Sequence, residues 1–478
     1  MSTFFSRTHT PLNQLAIVIL AVITVIFCLL CPPALSESTA QPPQQQNFAA
    51  KSTSLSNLLI VQLANNADRQ KFDDILQEIH GKLLKTIDFG PTLSFLLIEP
   101  EAGKISETEK KLLATKDVAY VQRNLVCQFN DVVTESVAAK HASFGKVFLP
   151  KNRSLRFALP KTHHAGKGLL IPAASAHLSP NPNDPYFYSQ WDLALMKFPQ
   201  ARSAGLPTGV PVMFYFLDTG VTPFSAELAT SAAQYDFSNP LVNPVRESPY
   251  DSSTHGTGTA SVTATTNNSI GYAGAANLEG NRCFLFECRL TTGGGIQTAT
   301  VASILSALSY LYQTPGLSPG PINISVGSAP PNTLNSLPAI QEAAQLLSNK
   351  GFLVVIAAGN NGAYDPSPER YARRVAAIGG DGNIASFSNY GPFPAAAPGA
   401  SVQIYTPTGP DIQTLGSGTS FAAPRWCAAI VDVMGVLPPS RRTAVFADSI
   451  VMETAIINAQ GLRIPNLQAA TALAAQYH

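Results

Sequence analysis

The sequence predicts an α/β fold with a mostly parallel sheet, preceded by a small α+β unit. Three observations carry that expectation. The runs VMFYFLD at 212–218 and FLVVIAA at 352–358 are almost wholly apolar, as strands covered on both faces of a parallel sheet must be. Between them Val301, Ile304, Leu305, Leu308 and Leu311 hold helical spacing. The same alternation of apolar strand and small-residue helix runs from Asn183 to His478, which argues one α/β domain. Of the 478 residues 45% are apolar, enough for a large core, and charged residues total only 13%, against about 25% in an ordinary chain. Thirty-one basic residues face 30 acidic ones, so there is no positive field for nucleic acid. Six cysteines are too few for a disulfide scaffold.

Read from the start, Arg7 and His9 precede an apolar run from Leu15 to Leu30, and Cys31, Pro32 and Pro33 end it. The run is short of the about 20 residues that span a bilayer and matches an export signal. Small residues Ala34 and Ser36 supply a cleavage site after Ser36, giving a signal peptide over 1–36. Association with a membrane is expected only if this segment, residues 15–35, is retained. Residues 37–56, with a Pro-Pro-Gln-Gln-Gln tract, read as a linker. A compact unit follows at 57–124. LLIVQL at 58–63 reads as a strand, Phe72, Ile75, Leu76 and Ile79 as one face of a helix, and LLKTI at 83–87 and LSFLLI at 93–98 as two further strands. Ser106 and Glu109 form a capping box for a second helix, and VAYV at 118–121 closes a βαββαβ order of the ferredoxin-like kind. Residues 125–182 hold four of the eight histidines without sustained periodicity and read as an exposed linker; His163 and His164 lack partners at metal-ligand spacing.

In open α/β sheets the sites sit at the carboxyl ends of strands. The first apolar run ends in Asp218-Thr219-Gly220, a triplet also used by paired-aspartate proteases, but no second Asp-Thr-Gly or Asp-Ser-Gly occurs. His255 is the only histidine between Asn183 and the terminal His478, so it is the residue there suited to moving protons near neutral pH. Small neighbours in Thr-His-Gly-Thr-Gly-Thr-Ala let another segment approach it. Ser420 follows Gly416-Ser417-Gly418-Thr419 at the start of an apolar helical stretch, a setting that suits either a nucleophile or a simple helix cap. Asn360 follows the second apolar run in Gly359-Asn360-Asn361-Gly362, where an amide can donate to an oxyanion or merely close a turn. Cys283 and Cys288 flank FLFE; on one strand their odd separation puts them on opposite faces about 16 Å apart, as free thiols. Cys427 reads as core.

Taken together, LDTGV, HGTGTA, AAGNNG and GTSFAAP in this chain order resemble the subtilisin-like serine proteases, and INISVGS at 322–328, RVAAIGG at 374–380, ASFSNYG at 385–391 and GLRIPNLQAA at 461–470 extend the likeness over 183–478. The resemblance implies a subtilisin-like three-layer catalytic domain, a propeptide at 57–124 acting as intramolecular chaperone and inhibitor, and a maturation site in 125–182. It implies an exported serine endopeptidase made as a zymogen, acting on protein or peptide substrates. Ser420 is then the nucleophile, His255 the base, Asp218 the residue that orients it, and Asn360 the oxyanion donor. Ser325, Val326 and Gly327 would pair with an extended substrate. Ala357, Ala358 and Gly359 would form the facing wall of an open apolar primary pocket with its floor near 364–369. The resemblance also implies a structural calcium ion (Ca2+), held by Asn268, the carbonyls of Thr266, Ile270 and Tyr272, Asp184, and Glu227 where an Asp is usual.

Overall fold

The computed structural model describes residues 55–129, 135–136, 184–203, 212–222, 228, 231–251, 253–265, 271–276, 283–291, 298–327, 333–405 and 413–478. The amino-terminal unit is a four-stranded antiparallel sheet carrying two helices. Its elements are β1 (Leu59–Leu63), α1 (Arg69–Glu78), β2 (Lys82–Asp88), β3 (Ser94–Glu99), α2 (Ile105–Leu113) and β4 (Val118–Arg123), with strand order β2-β3-β1-β4. Asp68 caps α1, accepting from the N–H groups of Gln70 and Lys71. The capping box expected for α2 does not form. Lys104 occupies the cap position without a side-chain bond, because Arg123 on β4 takes both partners, donating to Glu109 at 3.0 Å and to Ser106 Oγ at 2.8 Å. Phe72, Leu76 and Ile79 bury one face of the sheet with Leu59, Val61, Leu96 and Ile98.

The next segment corrects the reading of 125 onward as exposed linker. Val126–Gln128 is a strand, β5, and Cys127 and Phe129 are buried. Residues Glu135–Ser136 form β6.

The larger sheet has eight strands. In chain order they are β7 (Val212–Asp218), β8 (Ser231–Asp236), β9 (Val245–Glu247), β10 (Cys283–Arg289), β12 (Pro321–Ile324), β13 (Leu353–Ala357), β14 (Arg373–Ile378) and β15 (Ala396–Pro398); β11 (Thr298–Thr300) pairs instead with β5. Across the sheet the order is β15-β14-β13-β12-β7-β10-β8-β9, all parallel except the β8–β9 pair. Both faces are covered, as the apolar runs require. Phe214 and Phe216 of β7 enter one core with helices α6 (Thr419–Val436), α7 (Ala444–Thr454) and α8 (Leu467–Ala474), whereas Tyr215 and Leu217 enter the other with α4 (Val301–Gln313) and α5 (Pro338–Asn349). A further helix, α3 (His255–Ala264), is entirely buried. Cys288 and Cys427 are buried free thiols.

The amino-terminal sheet packs its second face on α4 and α5. Ile60, Ile87, Phe89, Phe95 and Leu97 share a core with Leu308, Leu311 and Ile340, each large side chain contributing roughly 2 kcal/mol by burial. Polar contacts fix the docking. Gln313 Nε2 donates to the Asp88 carbonyl at 2.6 Å and Lys85 Nζ to the Val242 carbonyl at 2.8 Å. Buried Asn124 accepts from Ala302 N–H at 2.8 Å and the Leu125 carbonyl from Val301 N–H at 3.1 Å, so the unit satisfies the exposed amides at the start of α4. Among the described residues no helix is long and apolar enough to cross a membrane. The run 15–30, the signal, the 37–54 part of the first linker and His163 and His164 lie outside the described residues.

Candidate active site

Three neighbouring strands, β13, β12 and β7, end side by side, and Asn360, Ser325 and Asp218 stand at those ends. Asp218 is the last residue of β7. Its Oδ1 accepts from Thr219 N–H and meets His255 Nδ1, each at 2.7 Å, while Oδ2 accepts from Thr259 Oγ1 at 3.0 Å. His255 opens α3. The strand end and the helix start can meet this closely because Gly256 has no side chain: a Cβ there would lie 2.0 Å from the Gly220 carbonyl oxygen. Asp218 and His255 are 1% and 2% exposed.

Ser420 is the second residue of α6, after an extended Gly418 cap, so it is not the capping serine. Its carbonyl accepts from Ser325 Oγ at 3.0 Å and its own hydroxyl donates to the Ser325 carbonyl at 3.2 Å. Helices α3 and α6 pack together, with Thr263 Oγ1 donating to the Pro424 carbonyl at 3.2 Å. Asn360 stands beside this start: its Oδ1 accepts from both Thr419 N–H and Thr419 Oγ1 at 2.8 Å. With the oxygen held, the amide N–H2 is the end offered to a ligand. Gly359 before it adopts φ +100°, and a Cβ there would come within 2.5 Å of Asn389 Nδ2.

Residues that the sequence reading left without a role build the frame. Asp251 accepts from Thr219 Oγ1 at 2.6 Å, Ser253 N–H at 3.0 Å, Thr257 N–H at 2.8 Å and Thr257 Oγ1 at 2.6 Å. It thereby staples the turn after Asp218 to the first turn of the His255 helix. Its burial pushes the carboxyl up to about 6. Asn389 accepts from Asn361 and Ala363 N–H at 3.0 Å and donates to the Ala358 carbonyl at 3.0 Å, fixing the Asn360 loop. The signal for Asp251 was its place four residues before His255; nothing local marked Asn389.

Val326, Gly327, Ala357 and Ala358 line one small cavity of about 10 Å³ together with Ile356, Leu334, Thr333, Asn335 and Arg374. The open apolar slot expected there is corrected on two counts. It has little free volume, and its polar lining comes from Thr333, Asn335 and Arg374, with none of 364–369 among its lining residues.

The chain's own segment 126–129 runs along this cleft. Gln128 exchanges two hydrogen bonds with Gly327 (2.9 and 3.2 Å), β5 pairs with β11 on its other side, and the Phe129 ring lies edge-on to His255 with centroids 5.1 Å apart. Beyond it, β6 pairs with β17 (Gln413–Gly416), the strand leading to Ser420; β17 also pairs with β16 (Val402–Tyr405).

Of the residues expected to hold calcium, Asp184 is buried and Tyr272 is buried with its phenol bonded to Ser261. Tyr186 N–H donates to the Gly271 carbonyl at 2.9 Å, which seats the Asp184 turn against the end of that loop. Glu227, Thr266, Asn268 and Ile270 lie outside the described residues. Among the described residues no group of three His, Cys, Asp or Glu could hold a metal.

Comparison with known proteins agrees with this geometry. The subtilase family model matches residues 215–473, just over half of the chain. Subtilisin Savinase of Lederbergia lenta is 32% identical over 243 residues, 50% of this chain and 81% of that protein. Thermitase of Thermoactinomyces vulgaris is 32% identical over 272 residues, 55% and 87% respectively. An alkaline protease of Alkalihalobacillus alcalophilus is 33% identical over 244 residues, and the match spans only 58% of its length. Among solved structures, a protease of Pseudoalteromonas arctica matches at TM-score 0.50 with 26% identity, over 61% of this chain and 99% of that one. Fervidolysin of Fervidobacterium pennivorans matches at 0.59 over 87% of this chain and 61% of that one, at 17% identity, a likeness of fold alone. With its parallel sheet, the Asp218–His255 bond and the helix start bearing Ser420, the chain belongs to the subtilase family.

Proposed function

We propose that the protein is an exported serine endopeptidase made as a zymogen, with residues 57–124 as its inhibitory propeptide. Ser420 Oγ attacks the scissile carbonyl carbon and passes its proton to His255 Nε2. The imidazolium returns that proton to the leaving amine as the C–N bond breaks, and water then releases the acyl group by the same route. Asp218 holds the imidazole tautomer through Nδ1. Asn360 Nδ2 and the Ser420 N–H receive the oxyanion. The observation that carries this reading is the strand Val126–Gln128, which adds to Gly327 beside His255 as a bound peptide would. It is tested by maturing the chain and assaying casein hydrolysis together with fluorophosphonate labelling. A matured chain that neither cleaves casein nor labels refutes the assignment.

We place the first cut just beyond the strand that pairs with Gly327. An antiparallel peptide continuing in the register of Gln128 with Gly327 would set its residue two positions further on opposite Ser325, whose carbonyl holds the Ser420 hydroxyl. Asn130 and Asp131 lie outside the described residues; counted along the sequence, the bond between them is the proposed first cut. Terminal sequencing of the earliest self-processed product should therefore begin at Asp131. A first product beginning elsewhere excludes this register.

Release of the propeptide is expected to depend on pH. Glu342 on α5 accepts from Gln62 Nε2 at 2.7 Å under the docked unit, and burial there raises its carboxyl. A carboxyl raised only in the complex means that docking takes up protons. Affinity is then full below the ordinary carboxylate range and falls as pH climbs through the raised value. The processed complex should live longer at pH 5 than at pH 8, and Glu342→Gln should narrow that difference, as read from the appearance of activity after processing.

A structural calcium ion belongs to the same proposal. Asp184 and the Tyr272 carbonyl would supply hard oxygen ligands with Asn268, Thr266, Ile270 and Glu227. When bound, it would clamp the loop after α3 to the Asp184 turn and take no part in the chemistry.

A further inference from the structure

Strand β5 and the residue after it turn alternate side chains outward and inward. Val126 is 43% exposed and Gln128 is exposed, whereas Cys127 and Phe129 are 0% and 3% exposed. Hydrophobicity does not decide which way they face, since a valine is left in water while a cysteine is buried. The main chain decides. Cys127 pairs with the buried Ala299 of β11, and Gln128 exchanges its two hydrogen bonds with Gly327, so pairing on both edges of the segment fixes its inward positions. Burial pushes the Cys127 thiol up to about 12, as befits a dry face. Phe129 reaches the chemistry itself. Its ring lies against the His255 imidazole, centroids 5.1 Å apart and planes at 62°, and His255 is only 2% exposed. Edge-to-face ring pairs of this kind are favoured beyond the area they bury.

We infer that the cleft selects peptides carrying an aromatic side chain in the place of Phe129, second before the scissile bond, where the ring seats against His255. The assignment rests on the proposed endopeptidase reading, in which β5 lies as a substrate strand does, and adds to it the class of peptide preferred. The seat outlasts the propeptide. Phe129 shares a buried cluster with Val326, the neighbour of Gly327, and both Val326 and His255 belong to the catalytic domain. An entering peptide that pairs with Gly327 in the same register turns its next residue toward the same seat. The residue after that one falls opposite Ser325, whose carbonyl holds the Ser420 hydroxyl at 3.2 Å, which sets the seat two residues before the bond to be cut. A ring fills it. Alanine there forfeits both the burial and the ring pair, and leucine keeps the burial alone. A residue in the place of Gln128 points to solvent and carries no preference.

The test is a set of p-nitroanilides of the form Val-Ala-Gln-X-Ala, with X as Phe, Tyr, Leu or Ala, cleaved by the matured wild-type enzyme. The reporter fixes X as the second residue before the bond that breaks. The expected kcat/KM for Phe exceeds that for Ala by about tenfold or more, the yield of burying a ring, and that for Leu by about threefold, the yield of the ring pair. Tyr should follow Phe. Replacing the Gln by Glu or Ala in the Phe peptide should change kcat/KM by less than about threefold, because that side chain faces water. Equal cleavage of the Phe and Ala peptides, or a Leu peptide cleaved as well as Phe, overturns the assignment and leaves Phe129 as packing of the propeptide. So does a tenfold loss on changing the Gln, which would mean that a bound peptide presents its other face. Cleavage of the Ala peptide reports the serine-protease reading by itself, so a flat series with that cleavage intact overturns the aromatic seat alone; a matured enzyme that cleaves none of the peptides overturns both.

Discussion

Replacing Ser420 with Ala is expected to lower kcat by about 10⁶, a magnitude taken from subtilisin, and to abolish fluorophosphonate labelling. The reason lies in where the hydroxyl stands. Ser420 is one residue into α6, beside Asn360 and over the Ser325 carbonyl that holds its proton at 3.2 Å. No other hydroxyl follows the Gly418 turn with the N–H groups of a helix start around it; Thr419 is committed to Asn360 and to Gly359 N–H at 3.0 Å. The substitution removes only one oxygen from a position 3% exposed, so the fold and the propeptide interface should persist. The full-length variant should accumulate uncut, with an unchanged melting temperature, and be processed only when active enzyme is added. A variant that still cuts itself, or still labels, would mean that another residue is the nucleophile.

What the sequence disclosed, and what it hid, follows the range of the forces involved. Strands β7 and β13 were legible because burial on both faces of a sheet leaves a local mark: nearly every position is apolar. Asp218, His255 and Ser420 were legible because each sits among glycines and small residues that close approach demands. The capping box on α2 failed because its two side chains were reachable by Arg123, fourteen residues beyond Glu109. Cys127 and Phe129 looked like linker because a strand that pairs with distant segments, Thr298–Thr300 and Gly327, needs no periodicity of its own. Arg374 escaped for the same reason. Its partner Asp365 and its stacking ring Phe393 come from different loops, and a charged residue in the run RRVAAI gave no hint that it would be buried.

The second large effect is expected at Asp218. Changing it to Asn keeps its size and leaves an oxygen to accept from Thr219 N–H and from His255 Nδ1. The new amide group then faces Thr259, whose hydroxyl can surrender its bond because it already donates to the Gly256 carbonyl at 3.0 Å. The ring therefore stays near its place, and what disappears is the negative charge that stabilises the imidazolium formed when Ser420 gives up its proton. The expected loss in kcat is on the order of 10⁴. KM should move far less, because a peptide is held by Gly327 and β11, neither of which touches Asp218. A loss below about 100-fold would mean that the 2.7 Å bond positions His255 without stabilising its charge. A large rise in KM with kcat preserved would transfer Asp218 from proton handling to substrate binding.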